Sequence, residues 1–267
     1  MFTFSEEHIA FLKKEKREKR IVFIGKISII LFFLILWEVL AQKNIINTFL
    51  YSSPSRIFAT LCSLLQSGQL WKHIGITTYE VLISFFIATG GGIFISFILW
   101  RFERLSKIVD PYITVLNSLP KVALGPLIII WVGAGMNSII FMALLISIFT
   151  TIIHIYTGFM SVSPSHIVLF KSFHATSWQI FWKLILPSNL ENIIATLKIN
   201  ISMSLIGVIM GELLVSKSGL GYLIMYGTQV FQLDLVISSI FVLGILSYLM
   251  YFLIDFCTSF LKRKEKI

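Results

Sequence analysis

Long runs of apolar residues alternate with short polar segments along most of this chain. Six of the runs have roughly the 20 residues that a helix needs to cross a bilayer. They cover residues 21–41, 79–100, 111–131, 138–155, 193–215 and 236–256. A helix satisfies its own backbone hydrogen bonds in lipid, and these continuous runs lack the alternation of a β-barrel strand. The pattern predicts an all-α membrane protein with six transmembrane helices.

Basic residues divide the chain into three parts and orient it. Residues 1–20 form a basic N-terminal segment, residues 21–257 a transmembrane domain, and residues 258–267 a basic tail. Most of the 22 Lys and Arg residues fall on one side of a six-span arrangement. Cations favour the cytoplasmic side, so both termini are predicted to be cytoplasmic and the first run to be an uncleaved anchor.

The segment between the first two spans, residues 42–78, is predicted to lie on the opposite, outer side. Ser53 and Pro54 have the pattern of a helix cap followed by a first-turn proline. Apolar residues then recur at helical spacing until Gly68. This predicts an amphipathic helix on the outer face.

The second and third spans carry residues that are unusual in lipid. Gly90, Gly91 and Gly92 indicate close helix packing. The third span contains Pro120 and Pro126, which predict a break in the helix.

Polar side chains at membrane depth are candidates for a translocation pathway. Beside the break these are Asn117, Ser118 and Lys121, and the fifth span adds Glu212. Such groups are tolerated where they line a cavity or are buried in protein. Two alternatives stay open: Lys121 extends to an interface, and Glu212 is a structural residue near a helix end.

The segment between spans four and five, residues 161–187, contains two helix starts. Ser163 and Pro164 open the first; Thr176 and Gln179, at capping-box spacing, open a second that is expected to end before Pro187. Both helices are predicted to expose aromatic residues: Phe170, Phe173, Trp178, Phe181 and Trp182. Such a loop is either an interfacial helix at the lipid headgroups or a binding surface for a partner protein.

Composition excludes several function classes. The chain is 57% hydrophobic, with mean hydropathy +0.89 and net charge +9. Its cations flank apolar spans, so they indicate orientation and not nucleic-acid binding. There is no Walker loop, no His-Glu-x-x-His helix and no Gly-x-Ser-x-Gly elbow. No metal, cofactor or catalytic residue is predicted, and Cys62 and Cys257 lie in different segments.

Several stretches resemble the permease subunits of binding-protein-dependent ABC transporters, in the branch serving nitrate, sulfonates, taurine and similar solutes. The resemblance covers roughly residues 45–262. Its third-span pattern matches residues 119–127 and its fifth-span ending matches residues 211–222. Its loop pattern fits best at Ala175, Thr176, Trp178, Gln179, Phe181, Leu186 and Pro187. The family's Glu-Ala-Ala positions hold Val168, Leu169 and Phe170 here, and its glycine position holds His174.

The resemblance implies that residues 161–187 form a cytoplasmic coupling loop that binds a separate ATPase. The residues implied in this contact are Ser165, Leu169, Phe170, Phe173, His174, Ala175, Thr176, Trp178 and Gln179. It further implies cytoplasmic ABC ATPase subunits, a second copy of the permease and an extracytoplasmic solute-binding protein as partners. All would assemble in the lipid of a bacterial plasma (inner) membrane.

The resemblance also implies import of a small solute such as a sulfonate, taurine or nitrate. A pyrimidine precursor of thiamine, or another vitamin part, is the alternative solute. A membrane scaffold without transport is the alternative of another class, which the absence of a co-purifying ATPase would favour. An intramembrane enzyme is disfavoured, because no carboxylates pair within the spans as read from sequence.

Overall fold

The structure is a computed structural model that describes residues 6–264, with side chains for 14–259. Within that range every regular element is helical. The α-helices are α1 (Glu6–Gln42), α2 (Thr48–Tyr51), α3 (Pro54–Gln66), α4 (Gln69–Arg101), α5 (Glu103–Ser118), α6 (Gly125–Val132), α7 (Met136–Met160), α8 (Pro164–Ser172), α9 (Ser177–Ile180), α10 (Leu186–Ser188), α11 (Leu190–Val215), α12 (Leu220–Gln229) and α13 (Leu233–Lys264). A 3₁₀ turn (Lys121–Leu124) precedes α6, and a π-helical turn (Phe181–Ile185) joins α9 to α10.

The predicted all-α membrane architecture is confirmed. In the described part of the chain, α1, α4, α7, α11 and α13 are long and apolar enough to cross a membrane. α5 and the segment Lys121–Val132 make a sixth crossing if they are counted as one span. The residues at the extreme termini, 1–5 and 265–267, lie outside the described range, so this part of the predicted basic ends is untested.

The third span is bent more sharply than a single span over residues 111–131 would be. α5 begins at Glu103 and meets the next helical segment at 83°. The residue before a proline avoids helical geometry, and Leu119, before Pro120, is extended with ψ 142°. The break is therefore where the sequence predicts it, but each arm is too short to cross a bilayer on its own.

Helix signals in the second segment are also confirmed. Ser53 caps α3 and accepts a hydrogen bond from the Arg56 amide at 3.4 Å, with Pro54 in the first turn. Gly68 follows α3 with φ +70°, a conformation that glycine adopts without strain. α4 then starts at Gln69, ten residues before the predicted Tyr79, because polar residues of its first turns interrupt the apolar run.

α7 lies at the centre of the bundle, between α4 and α11. The core contains Val81 and Phe85 from α4, Ile139 and Ala143 from α7, and Val208 from α11. Glycine is required where α11 crosses α7: a Cβ added at Gly207 would overlap the Ala143 backbone, and one at Gly211 would lie 2.9 Å from Ile139 Cα. Small residues allow this close approach.

The predicted glycine packing in span two is right at only one of its three positions. A Cβ at Gly92 would collide with the Thr151 side chain, while one at Gly91 would make only ordinary contact with Ile148. Gly90 faces open space. The other close approaches to α7 come from Gly207 and Gly211 of α11, which the sequence did not single out.

α1 stands apart from this core. None of the residues in its most apolar stretch is buried. Glu38, near its end, accepts hydrogen bonds from the Ser55 amide at 3.0 Å and the Ser55 hydroxyl at 2.9 Å. These bonds join α1 to the start of α3.

Candidate functional site

The loop between α7 and α11 begins with α8. Pro164 occupies the first turn and Ser163 the cap position, as the sequence predicts. The Ser163 hydroxyl does not cap a backbone amide and lies 2.7 Å from the Ser165 hydroxyl. The start of α8 is therefore set by the proline's fixed φ, without a side-chain cap.

α8 ends in a Schellman motif. The Ala175 amide donates to the Phe170 carbonyl at 3.1 Å, and the His174 amide donates to the Lys171 carbonyl at 2.9 Å. This pair of bonds requires a left-handed residue between the helix and the next segment. His174 fills that position with φ +55°. It stands where the resembling family has glycine, so the backbone keeps the glycine conformation although the side chain differs.

We expect His174→Gly to preserve the turn and His174→Ile to destabilise it. A left-handed conformation costs L-residues about 1–2 kcal/mol, more for a β-branched side chain, and glycine almost nothing. Thermal unfolding of the purified protein in detergent measures the difference. If the isoleucine variant unfolds at the same temperature as the glycine variant, the turn does not constrain this residue.

α9 begins with the predicted capping box. The Gln179 amide donates to the Thr176 hydroxyl at 3.3 Å, and the Thr176 amide donates to the Gln179 side-chain oxygen at 2.8 Å. Both bonds satisfy amides that a helix start leaves unpaired. The turn between α8 and α9 is thus fixed from both sides.

The predicted end of the second helix before Pro187 is wrong. The chain stays helical through Pro187 to Ser188 by widening into a π turn, in which the Leu186 amide donates to the Phe181 carbonyl. A proline inside a helix lacks an amide and crowds the carbonyl four residues earlier. The wider turn removes that conflict, so the loop continues toward α11 with only a short break at Asn189.

Phe181 anchors the loop to the bundle. It was predicted to be exposed, but it is 4% exposed. Its ring centroid lies 4.5 Å from that of Phe97, 5.5 Å from Trp100 and 5.4 Å from Phe159. Aromatic edge-to-face packing of this kind adds to the burial of apolar area. The loop is therefore attached rigidly to α4 and α7.

The large apolar side chains that the loop leaves exposed form what we call the loop surface. Its members are Val168, Leu169, Phe173, Trp178 and Trp182. Phe173, at the tip, is 75% exposed. Exposed apolar groups clustered on a rigid element are typical of interaction sites.

The structure brings the predicted coupling residues together on one loop with two kinds of environment. Ser165, Leu169, Phe173, His174, Thr176, Trp178 and Gln179 are exposed. Phe170 and Ala175 are half-buried and pack against the cluster that contains Phe181. These two residues support the turn from beneath.

Three of the four pathway candidates lie at the break between α5 and α6. The Lys121 ammonium group donates to the Asn117 carbonyl and to the Asn117 side-chain oxygen, both at 3.1 Å. The Thr150 hydroxyl of α7 donates to the same side-chain oxygen at 3.2 Å. Ser118 is exposed and bonds back to the Thr114 carbonyl. Lys121 and Asn117 thus form a polar group inside the bend, half-buried and open to one side.

Glu212 lies elsewhere, in a buried polar cluster between α4, α11 and α12. It accepts hydrogen bonds from the Thr77 hydroxyl and the Gly221 amide, each at 2.6 Å. Glu80 and His73 of α4 belong to the same cluster. Sequence reasoning missed both, although His73, Thr77 and Glu80 share one face of an apolar helix by their spacing.

A cleft of about 920 Å³ lies at the end of the bundle where α4 begins and α11 ends. Cations predominate at its charged positions: Arg56, Lys72 and Lys217 line it with Asp234, which is bonded to Arg56 at 2.6 Å. His73 and Tyr222 form part of its wall, with ring centroids 5.9 Å apart.

Within the described residues, no group of three or more His, Cys, Asp or Glu side chains could hold a metal ion. Cys62 and Cys257 are free thiols.

Known proteins are similar to this chain in sequence and in fold. Residues 81–267 match the model of a family described as "Binding-protein-dependent transport system inner membrane component". The formylaminopyrimidine transport permease protein ThiX of Halalkalibacterium halodurans is 29% identical over 222 residues, covering 82% of this chain and 88% of that protein. The taurine transport system permease protein TauC of Escherichia coli is 24% identical over 232 residues, covering 85% and 83%.

A solved bacterial ABC transporter for import of the acidic polysaccharide alginate contains a chain with the same fold. It aligns with a TM-score of 0.62 at 17% identity, covering 95% of this chain and 98% of that one. At that identity the likeness concerns the fold.

Proposed function

The chain belongs to the family of binding-protein-dependent transport system inner membrane components, and from that premise we propose that it forms the pathway of an importer for a small sulfonate-like anion. Membership of the family and the apolar helices make it a membrane-spanning ABC permease subunit, a transport component. A separate cytoplasmic ATPase supplies the energy. Two copies of the permease form the pathway, and an extracytoplasmic binding protein delivers the solute.

The loop surface is the observation that carries the proposal. Its apolar side chains protrude at the turn between α8 and α9, while Phe181 ties the same loop to α4 and α7. A partner that binds the loop surface can therefore move the loop together with α4 and α7 as one rigid body. Coupling between separate sites requires an element with two arrangements, and here the ATPase bound to the loop surface would shift the helices between them.

The proposed orientation places the loop surface and both chain termini on the cytoplasmic side of a bacterial inner membrane. The excess of cations on that side supports it. The cleft beside Lys72 and Lys217 then faces outward, where the binding protein would approach.

A sulfonate-like solute is supported by the relative that transports taurine and by Lys121. The ammonium group of Lys121 lies at the bend between α5 and α6, where no carboxylate pairs with it within the described residues. A cation in a low-dielectric path attracts an anion more strongly than in water. The formylaminopyrimidine relative favours a second candidate, import of a pyrimidine precursor of thiamine.

Uptake by the assembled transporter tests the proposal. The permease, purified with its ATPase and binding protein and placed in proteoliposomes, is expected to take up taurine or an alkanesulfonate only with ATP. If formylaminopyrimidine is taken up and the sulfonates are not, the proposed solute is wrong, while the proposed importer function stands. If no ATPase co-purifies with the permease, the chain is a scaffold and the proposal fails.

We expect Lys121→Ala to lower sulfonate uptake roughly tenfold, equivalent to about 1.4 kcal/mol of lost attraction. Lys107→Ala is the matched control. Lys107 is an exposed lysine of α5 that forms an ion pair with Glu103, and such exposed pairs contribute little. Initial rates of labelled taurine uptake measure both. Equal rates for the two variants would remove Lys121 from the pathway.

A further inference from the structure

Two acidic side chains meet inside the bundle. Glu80 of α4 is 2% exposed and Glu212 of α11 is 1% exposed. Thr77, three residues before Glu80 and on the same face of α4, donates to Glu212 at 2.6 Å, so the two buried carboxyl groups lie side by side. Two carboxylates cannot donate to one another, and two adjacent negative charges in an apolar interior repel strongly. The pair therefore needs a bound positive species.

No side chain in the described part of the chain supplies that charge. His73, one helical turn before Thr77 on α4, accepts a hydrogen bond at Nδ1 from the Gly219 amide at 2.9 Å. A ring nitrogen that accepts is unprotonated, so the imidazole is neutral. Tyr222 of α12 stacks on this ring and is neutral as well.

The cations of the neighbouring elements do not reach the pair. Lys72 of α4 and Lys217, just after α11, are exposed and line the cleft. On α11, Lys198 pairs with Asp255 at the other end of the helix. The ionisable residues of α7 are His154 and Tyr156, near its far end. Arg56 of α3 forms an ion pair with Asp234.

The two carboxyl groups differ in their surroundings. Glu212 receives the Thr77 hydroxyl and the Gly221 amide, which suit a carboxylate. Glu80 has no comparable donors, and its Oε2 has no hydrogen-bond partner. A buried acceptor without a donor is costly, whereas a protonated carboxyl group can itself donate.

We propose that Glu80 and Glu212 form a proton-binding site, in which Glu80 carries one proton and its O–H group donates a hydrogen bond to the Glu212 carboxylate. A hydronium ion of the solvent supplies the proton: one of its O–H bonds breaks, leaving water, as an O–H bond forms on Glu80. The site fastens α4 to the segment 219–222, because Thr77 also accepts the Leu220 amide at 2.9 Å. The bound proton thus holds the floor of the cleft to the bundle.

The surrounding glycines show that this fit is tight. A Cβ at Gly219 or Gly221 would overlap the Glu212 side chain. Gly219 also has φ +117°, which other residues rarely adopt. The backbone of this segment is therefore shaped around a carboxylate at position 212.

Two variants separate the two carboxyl groups. Glu80→Gln keeps the shape of the side chain and a permanent donor toward Glu212, so its melting temperature is expected to match that of the wild type at neutral pH. Glu212→Gln turns an amide N–H toward donors and is expected to lower the melting temperature by about 4 °C or more. The wild type is expected to lose heat stability as pH rises and the proton leaves, while Glu80→Gln is not.

Infrared spectroscopy of the purified full-length protein in nanodiscs reads the proton directly. A protonated carboxylic acid band is expected in the wild type and absent from Glu80→Gln. Glu103→Gln, at an exposed carboxylate of α5, is the control and should keep the band. This measurement shows whether Glu80 carries a proton even if the Glu212→Gln variant does not fold.

Several outcomes would contradict the proposed proton-binding site. A band that persists in Glu80→Gln, or equal heat stability of the two glutamine variants, contradicts a proton on Glu80. Selective stabilisation of the wild type by sodium over choline chloride, lost in Glu80→Gln, would show a bound metal cation in its place.

Discussion

Phe173→Asp is expected to abolish co-purification of the ATPase and to lower ATP-driven uptake at least about thirtyfold. Phe173 is the most exposed large side chain of the loop surface, and it makes no ring contact with the described residues. An aromatic anchor buried in an interface is commonly worth about 2 kcal/mol or more. A charge at that position would have to be desolvated against the partner.

Phe173→Leu is the matched control, because it keeps an apolar side chain and should retain most of the binding. The spans should be unaffected in both variants, since Phe173 does not support the bundle. Size-exclusion profiles and melting temperatures check this. Normal uptake by Phe173→Asp would mean that the loop surface does not engage the ATPase.

Ala175→Asp tests the same surface less cleanly. Ala175 is half-buried, and its amide closes the Schellman motif with Phe170. An aspartate there would disturb the turn as well as the surface. Loss of ATPase binding in this variant would therefore not separate contact from local unfolding.

Gly207→Ala is expected to destabilise the protein by about 1–3 kcal/mol, while Gly90→Ala stabilises it slightly. The new methyl group at position 207 would overlap the backbone of Ala143, which cannot move without separating α7 from α11. At position 90 the methyl group meets open space. There the gain in helix propensity of alanine over glycine remains, about 0.5–1 kcal/mol in water.

The opposite signs make this pair informative. Thermal unfolding and detergent resistance of the two variants give the comparison. If Gly207→Ala is as stable as Gly90→Ala, the crossing of α7 and α11 is looser than the structure indicates.

Local chemistry explains which features of the fold could be predicted. Pro54 and Pro164 mark helix starts through the fixed φ of proline, and the Thr176–Gln179 capping box does so through bonds within one turn, so the sequence alone specifies them. Pro120 likewise predicts a break. The 83° angle at that break depends on packing against other helices, which no local pattern encodes.

The features that escaped prediction depend on neighbours distant in sequence. Phe181 looks like any loop aromatic until α4 and α7 place Phe97 and Phe159 around it. The π turn relieves the clash at Pro187, but a proline by itself does not tell whether the helix ends or widens. Glu80 becomes part of a buried acidic pair only because the fold places Glu212, 132 positions later in the sequence, beside it.

Among the candidate residues, local signals marked residues 161–187 as one loop with two helix starts but did not rank its members. The turn geometry distinguishes Phe173, which projects outward, from Phe170 and Ala175, which brace it. Sequence reasoning also grouped Glu212 with Lys121 as polar residues in apolar spans. The structure gives them different hydrogen-bond partners, so they are tested separately.

The isolation of α1 bears on how the protein is made and on how it moves. Its apolar side chains face outward, and among the residues with described side chains the Glu38–Ser55 bonds hold it near its C-terminal end. Because α1 needs no other helix to complete its surface, it can enter the bilayer during synthesis before α4, α7 and α11 have been translated. In the finished protein its free end can tilt in the lipid while the later helices change conformation.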